Sequence, residues 1–313
     1  MGKFQKIENP YTLQFSYVPP QFIERHIVTN EIIENFIREV PTYRGMFITG
    51  VRGVGKTVIL GDIRNKIGAY DDWITVDLNP ETDLLDSLAR NLYLIPKLKA
   101  LFVKAKLDFS VLGIGMHIEN AHLVASDEED ALKMMLQALK KHKKKVLVTI
   151  DEITYSTNVS RFSHALSSFA SADFDVYVLM TGLNENIRSI KNQKSLTFLY
   201  RAKIVVLEGL NLSAVSSDYQ NTMNLEEEEA RLLAAETKGY SLAFQAVGFH
   251  CWNALCDVGS FADIDFSRIQ SELDVTLHEM SYEKIWEELS AKDRQILVAM
   301  KDLEYQNGSR GYL

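Results

Sequence analysis

Phe47-Ile48-Thr49-Gly50-Val51-Arg52-Gly53-Val54-Gly55-Lys56-Thr57 carries an apolar strand into a glycine-rich loop that ends in a cation and a hydroxyl. Gly50, four intervening residues, then Gly55, Lys56 and Thr57 complete the spacing of a P-loop, and each residue type has a task. Glycine lets the backbone curl, so that successive amide N–H groups face phosphate oxygens with no Cβ in the way. Lys56 is placed to reach the β- and γ-phosphates, and the Thr57 hydroxyl to ligate Mg2+. The following stretch from Val58 to Ile67 reads as a helix whose N-terminal dipole favours the same anion. The candidate nucleotide contacts are therefore Gly50, Arg52, Gly53, Val54, Gly55, Lys56, Thr57 and Val58.

A P-loop needs a second, acidic element for Mg2+. The apolar run Val146-Leu147-Val148-Thr149-Ile150 ends in Asp151-Glu152, the pattern of a Walker B strand. Asp151 is placed to hold the Mg2+ shell, and Glu152 to polarise an attacking water. The adjacent glutamate is the feature that separates a hydrolase from a simple nucleotide holder.

Composition bounds what surrounds this site. With 313 residues, 46% of them hydrophobic and 24% charged, the chain has room for one large domain and a small one. A formal net charge of -8 excludes a surface that attracts nucleic acid all over. Cys251 and Cys256 make no disulfide framework and point to a reducing cytosol. The opening Met1-Gly2-Lys3-Phe4-Gln5-Lys6 is followed by no apolar signal segment, and no run approaches a membrane span, so a cytoplasmic protein without membrane contact is expected. The seven histidines lack metal-ligand spacing, and Lys140 to Lys145 suits the C-terminal end of a helix.

Apolar strands at about 46–49, 73–78, 145–150, 175–180 and 203–207 alternate with helical stretches, which predicts an α/β fold with a mainly parallel sheet. Pro10, Pro19 and Pro20 among aromatics give residues 1–22 the character of an extended arm. The core then spans 23–210, with a helix over 126–143 that Ser126 and Glu129 start as a capping box. Residues 107–119 read as an inserted β-hairpin turning near Gly113 to Gly115. After about 211 the strand signals stop, and helices at 224–237, 240–256, 265–284 and 290–303 predict a helical second domain over 211–285.

These residues together resemble the AAA+ ATPases, in particular the bacterial and archaeal branch akin to the ATPase part of origin-recognition proteins. The resemblance covers nearly the whole chain. It is carried by Phe22-Ile23-Glu24-Arg25, the loop from Gly50 to Thr57, Ile150-Asp151-Glu152, Val178-Leu179-Met180-Thr181-Gly182, and Phe198-Leu199-Tyr200-Arg201-Ala202. It implies a P-loop sheet sandwiched by helices with a small helical lid, ATP and Mg2+ as cofactors, and homo-oligomers. It also implies Thr181 as the sensor of the γ-phosphate, with Asn184 as second choice, and Arg201 as an arginine finger acting in its own subunit or a neighbour's. Arg25 stands where the family makes an adenine-side contact.

The sequence departs from the family in three places. Where the family has a Gly-Arg box before the core, this chain has Glu24-Arg25, and a lone surface arginine is the alternative reading of Arg25. Where the lid opens its nucleotide-facing helix with Gly-x-Pro and a nearby basic sensor, this chain has Gly239-Tyr240-Ser241, with neither the proline nor an arginine. The phrase from Tyr282 to Asp293 resembles the opening of a DNA-binding winged helix, over 286–313, which the residues present do not complete. Three functions stay open on these readings: an ATPase that drives conformational change, a nucleotide-gated switch with little turnover, and a DNA-associated ATPase of replication or mobile-element maintenance.

Overall fold

The computed structural model describes residues 8–14, 18–110, 113 and 123–307. They form two units. One is an α/β unit of Arg25–Val51 and Lys56–Leu207. The other is a helical unit made of the described parts of Met1–Glu24, Arg52–Gly55 and Glu208–Leu313.

In the α/β unit, α1 (His26–Ile37) leads into β1 (Gly45–Thr49), and α2 (Lys56–Gly68) into β2 (Trp73–Leu78). There follow α3 (Leu84–Leu94), α4 (Pro96–Lys104), β3 (Leu107–Asp108), β4 (Leu123–Val124), α5 (Glu128–Lys141) and β5 (Lys145–Ile150). The unit closes with α6 (Thr157–Ser171), β6 (Val176–Gly182), α7 (Asn184–Lys191), α8 (Thr197–Tyr200) and β7 (Lys203–Val206). Five strands make one parallel sheet in the order β2-β5-β6-β1-β7. Its inner strands are buried apart from the half-buried Lys145, as a parallel sheet covered on both faces requires, and they read as mainly apolar runs. The edge strand β7 instead alternates, with Ile204 and Val206 exposed. Phe47, Val148 and Val178 of the sheet join Leu88, Phe102, Phe162 and Phe169 of the helices in one core.

Local chemistry sets the helix ends, with two differences from expectation. α5 is capped one residue later than the sequence implied: Asp127 accepts from the Asp130 amide at 2.8 Å, and Asp130 in turn accepts from Ser126 N at 3.0 Å. An acidic first turn and Lys140 and Lys141 in the last complement the dipole of α5. Most of the hairpin expected over 107–119 lies outside the described residues. Those that are described pair β3 with β4 in parallel, Leu107 opposite Leu123.

The helical unit contains α9 (Leu212–Met223), α10 (Glu227–Glu236), α11 (Ser241–Val258), α12 (Phe266–Leu277), a π-turn (His278–Tyr282), α13 (Glu283–Glu288) and α14 (Ala291–Asn307). The arm belongs to this unit. Tyr11 is 1% exposed and packs edge-on against Tyr219 of α9 and Phe244 of α11, with ring centroids 5.7 and 5.6 Å away. Its hydroxyl donates to Asp218 at 2.9 Å, and Gln245 bridges the arm by accepting from Thr12 N at 2.9 Å and donating to Gln21 O at 2.6 Å. Among the described residues, no helix is long and apolar enough to cross a membrane.

Candidate nucleotide site

Parallel strands present their C-terminal ends, and the loops that follow, to one edge of the sheet, where ligands of open α/β sheets bind. Here β1 delivers the glycine-rich loop, β5 delivers Asp151 and Glu152, and β6, hydrogen-bonded between them, delivers Thr181. Gly53 and Gly55 hold φ of 76° and 96°, backbone that an L side chain rarely adopts, so both glycines are needed for the curl.

Lys56 opens α2 nearly buried, 8% exposed, and its ammonium donates to the carbonyl oxygens of Gly50 and Val51 at 3.1 and 3.0 Å. The cation is thereby held over the loop it follows. Thr57 turns its hydroxyl to Asp151 and donates to Oδ2 at 2.6 Å. Oδ1 of the same carboxylate accepts from the Glu152 amide at 3.1 Å and from the Thr181 hydroxyl. The Glu152 amide is shared with Thr181 Oγ1 at 3.0 Å. Glu152 itself has φ 52° and an exposed side chain, so a left-handed residue projects the carboxylate outward while its backbone stays pinned.

Thr57 and Asp151 supply hard oxygen donors of the kind Mg2+ takes, one hydroxyl and one carboxylate, with phosphate oxygens and water completing such a shell. Among the described residues no three His, Cys, Asp or Glu side chains gather as an all-protein metal cage. A sparse donor pair beside a curled loop fits Mg2+ carried on a nucleotide, and the residues present fit that group.

Thr181 is fully buried and commits its hydroxyl to Asp151, so it orients the carboxylate. Asn184, at the start of α7, is exposed and accepts from Thr49 Oγ1 at 3.1 Å, which puts the second-choice residue at the accessible tip. Arg52 points its guanidinium at Glu288 Oε1, 3.4 Å away within the helical unit. Val54 is buried. Arg25 caps α1 without a side-chain cap bond, and burial lowers its guanidinium pKa.

Arg201 lies at the other end of the sheet. It precedes Lys203, which pairs with Met46, whereas the loop leaves β1 after Thr49, which pairs with Val206. Along β7 from Lys203 to Val206 the chain rises roughly 10 Å at about 3.3 Å per residue, and Arg201 stands before that rise, at the C-terminal end of α8. Arg201 instead lines a cavity of about 610 Å3 with Arg44, His164 and Phe198.

Sequence reading missed Thr49, whose hydroxyl ties the end of β1 to Gly182 O at 3.0 Å, and the residues that hold the middle of the loop. Tyr240 Oη donates to Arg52 O at 2.8 Å, Leu242 N to Gly53 O at 3.2 Å, and Ser241 Oγ to Val54 O at 2.8 Å. The sequence signal lay in the departure from Gly-x-Pro, which placed a phenol and a hydroxyl where the family has other residues.

The fold is that of the AAA+ P-loop ATPases. The chain is similar to the structure of Cdc6p from Pyrobaculum aerophilum, with TM-score 0.51 and 13% identity over 93% of this chain and 77% of that one. It is also similar to the ORC2 protein of Aeropyrum pernix in ADPNP–ADP complexes, with TM-score 0.55 and 11% identity over 88% and 74%. Drosophila ORC bound to DNA gives 0.52 and 13% over 82% and 67%. No protein-family model matches the sequence, and no curated protein matches it.

Proposed function

We propose that the chain is an ATPase that binds ATP with Mg2+ at the loop of residues 50–57 and couples its hydrolysis to conformational change. One observation carries the reading: the 2.6 Å bond from Thr57 Oγ1 to Asp151 Oδ2 joins the loop to the acidic strand end. The AAA+ fold of the neighbours supports the same class.

The loop amides and Lys56 bind phosphate, Thr57 and Asp151 hold the cation, and Thr181 orients Asp151. Bound Mg2+ neutralises charge on the phosphates. Glu152, exposed on its left-handed backbone, orients a water and accepts its proton. Asn184 takes the sensing place at the tip of β6. Arg201 serves a neighbouring copy, a role supported by its place before β7, at the sheet end opposite the one the loop leaves. The cytoplasm, where ATP is abundant, is the compartment this reading implies.

A second reading, a nucleotide-gated switch with little turnover, is favoured by the position of Arg201, since a lone copy lacks that cation at its own site. A DNA-associated role draws support from the Drosophila neighbour, which is bound to DNA.

The test is Mg2+-dependent phosphate release from ATP by the purified protein and by Glu152→Gln, with the nucleotide content of each sample read by chromatography. Turnover that is lost in Glu152→Gln while ATP stays bound supports the ATPase. Retained nucleotide without turnover in the parent selects the switch, and absence of nucleotide binding overturns both.

A further inference from the structure

Three successive carbonyls of the loop, those of Arg52, Gly53 and Val54, accept hydrogen bonds from three successive residues, Tyr240, Leu242 and Ser241. All six residues belong to the helical unit. In a planar trans peptide the carbonyl and the next amide point to opposite sides. Fixing the carbonyls of residues 52, 53 and 54 therefore turns the N–H groups of Gly53, Val54 and Gly55 away from the start of α11. Those N–H groups sit in the glycine-rich curl, where amides face phosphate oxygens.

We propose that Tyr240, Ser241 and Leu242 are positioning residues that aim the phosphate-binding amides of the loop. The proposal rests on the nucleotide reading above and deepens it.

Several observations converge on Tyr240. A carbonyl can only accept, so the single phenol proton goes to Arg52 O, and the hydroxyl of fully buried Ser281 donates to Tyr240 Oη. The ring stacks on Tyr282 at 6.3 Å and 20°. Burial raises the phenol pKa, which keeps it a protonated donor at physiological pH. A Cβ on Gly53 would come within 2.1 Å of Tyr240 Oη, so this contact, as well as the turn, demands glycine there. Beside it, the hydroxyl of Ser241 makes a bond to Val54 O that the proline of a Gly-x-Pro signature has no group to make. The departure from the family signature thus has a positive use.

The experiment is calorimetric titration of MgADP and MgATP into the parent and into Tyr240→Phe/Ser241→Ala, with hydrogen-exchange mass spectrometry of the peptide holding Leu242. Each single variant and the thermal midpoint serve as folding controls, since Phe retains the ring that stacks on Tyr282. The expected result is a rise in both Kd values on the order of tenfold, the effect of losing two ordinary hydrogen bonds, with faster exchange at Leu242. Equal affinity of parent and double variant overturns the proposal and leaves the nucleotide reading standing. A parent that binds neither nucleotide overturns the nucleotide reading and the proposal with it.

Discussion

Glu152 spends backbone energy to stand where it does. A non-glycine residue at φ 52° costs on the order of 1–3 kcal/mol, and here its amide is held by Asp151 Oδ1 and Thr181 Oγ1. Thr181 therefore supports two groups at once, the carboxylate that faces Thr57 and the backbone that presents Glu152. Thr181→Val preserves the shape and removes the hydroxyl, so the affinity for Mg2+ in the presence of ADP is expected to fall about tenfold, the worth of a bond to a charged group. Titration of Mg2+ against protein saturated with ADP measures it, and an unchanged affinity removes Thr181 from the site. Gly53→Ala meets both a disfavoured φ of 76° and the Tyr240 hydroxyl, so nucleotide affinity should drop at least tenfold, read by calorimetry.

At the scale of elements, the arm is a structural member of the helical unit. Tyr11→Ala would empty a fully enclosed aromatic site between α9 and α11, and truncations of this kind cost about 3–5 kcal/mol. Urea unfolding should show that loss, and a midpoint unchanged by the substitution would contradict the packing. The three inner strands of the sheet were legible because buried parallel strands are continuous apolar runs, and the two edge strands, β2 and β7, because β-branched and aromatic residues fill short segments between helical stretches. α9 was not legible: Ser213, Ser216, Ser217, Asp218, Asn221 and Thr222 are weak helix formers, and the element exists because Val215, Tyr219 and Met223 share a buried face. The loop and the acidic pair were legible for a different reason, since their chemistry depends on residue type and local spacing. The role of Thr181 depends on contacts across 29 and 30 residues of sequence, and the partners of Arg52 and Val54 on contacts across 188 and 187, which spacing does not encode.

The whole molecule places its arginine away from its own loop. If Arg201 serves a second copy, Arg201→Ala leaves MgATP affinity unchanged and lowers turnover by roughly 10^3-fold, the scale of an arginine finger. Mixing Arg201→Ala with Lys56→Ala then restores part of the activity, because one copy contributes an intact loop and the other an intact arginine. Mixtures no more active than their components would place Arg201 outside the reaction. All of these expectations stand on the loop and the acidic strand end forming one Mg2+–nucleotide site. The most direct test is calorimetric binding of MgATP to the parent and to Lys56→Ala under the same conditions. Saturable, Mg2+-dependent binding by the parent and none by Lys56→Ala is the expected result; equal binding by the two proteins, or none by the parent, would overturn the site.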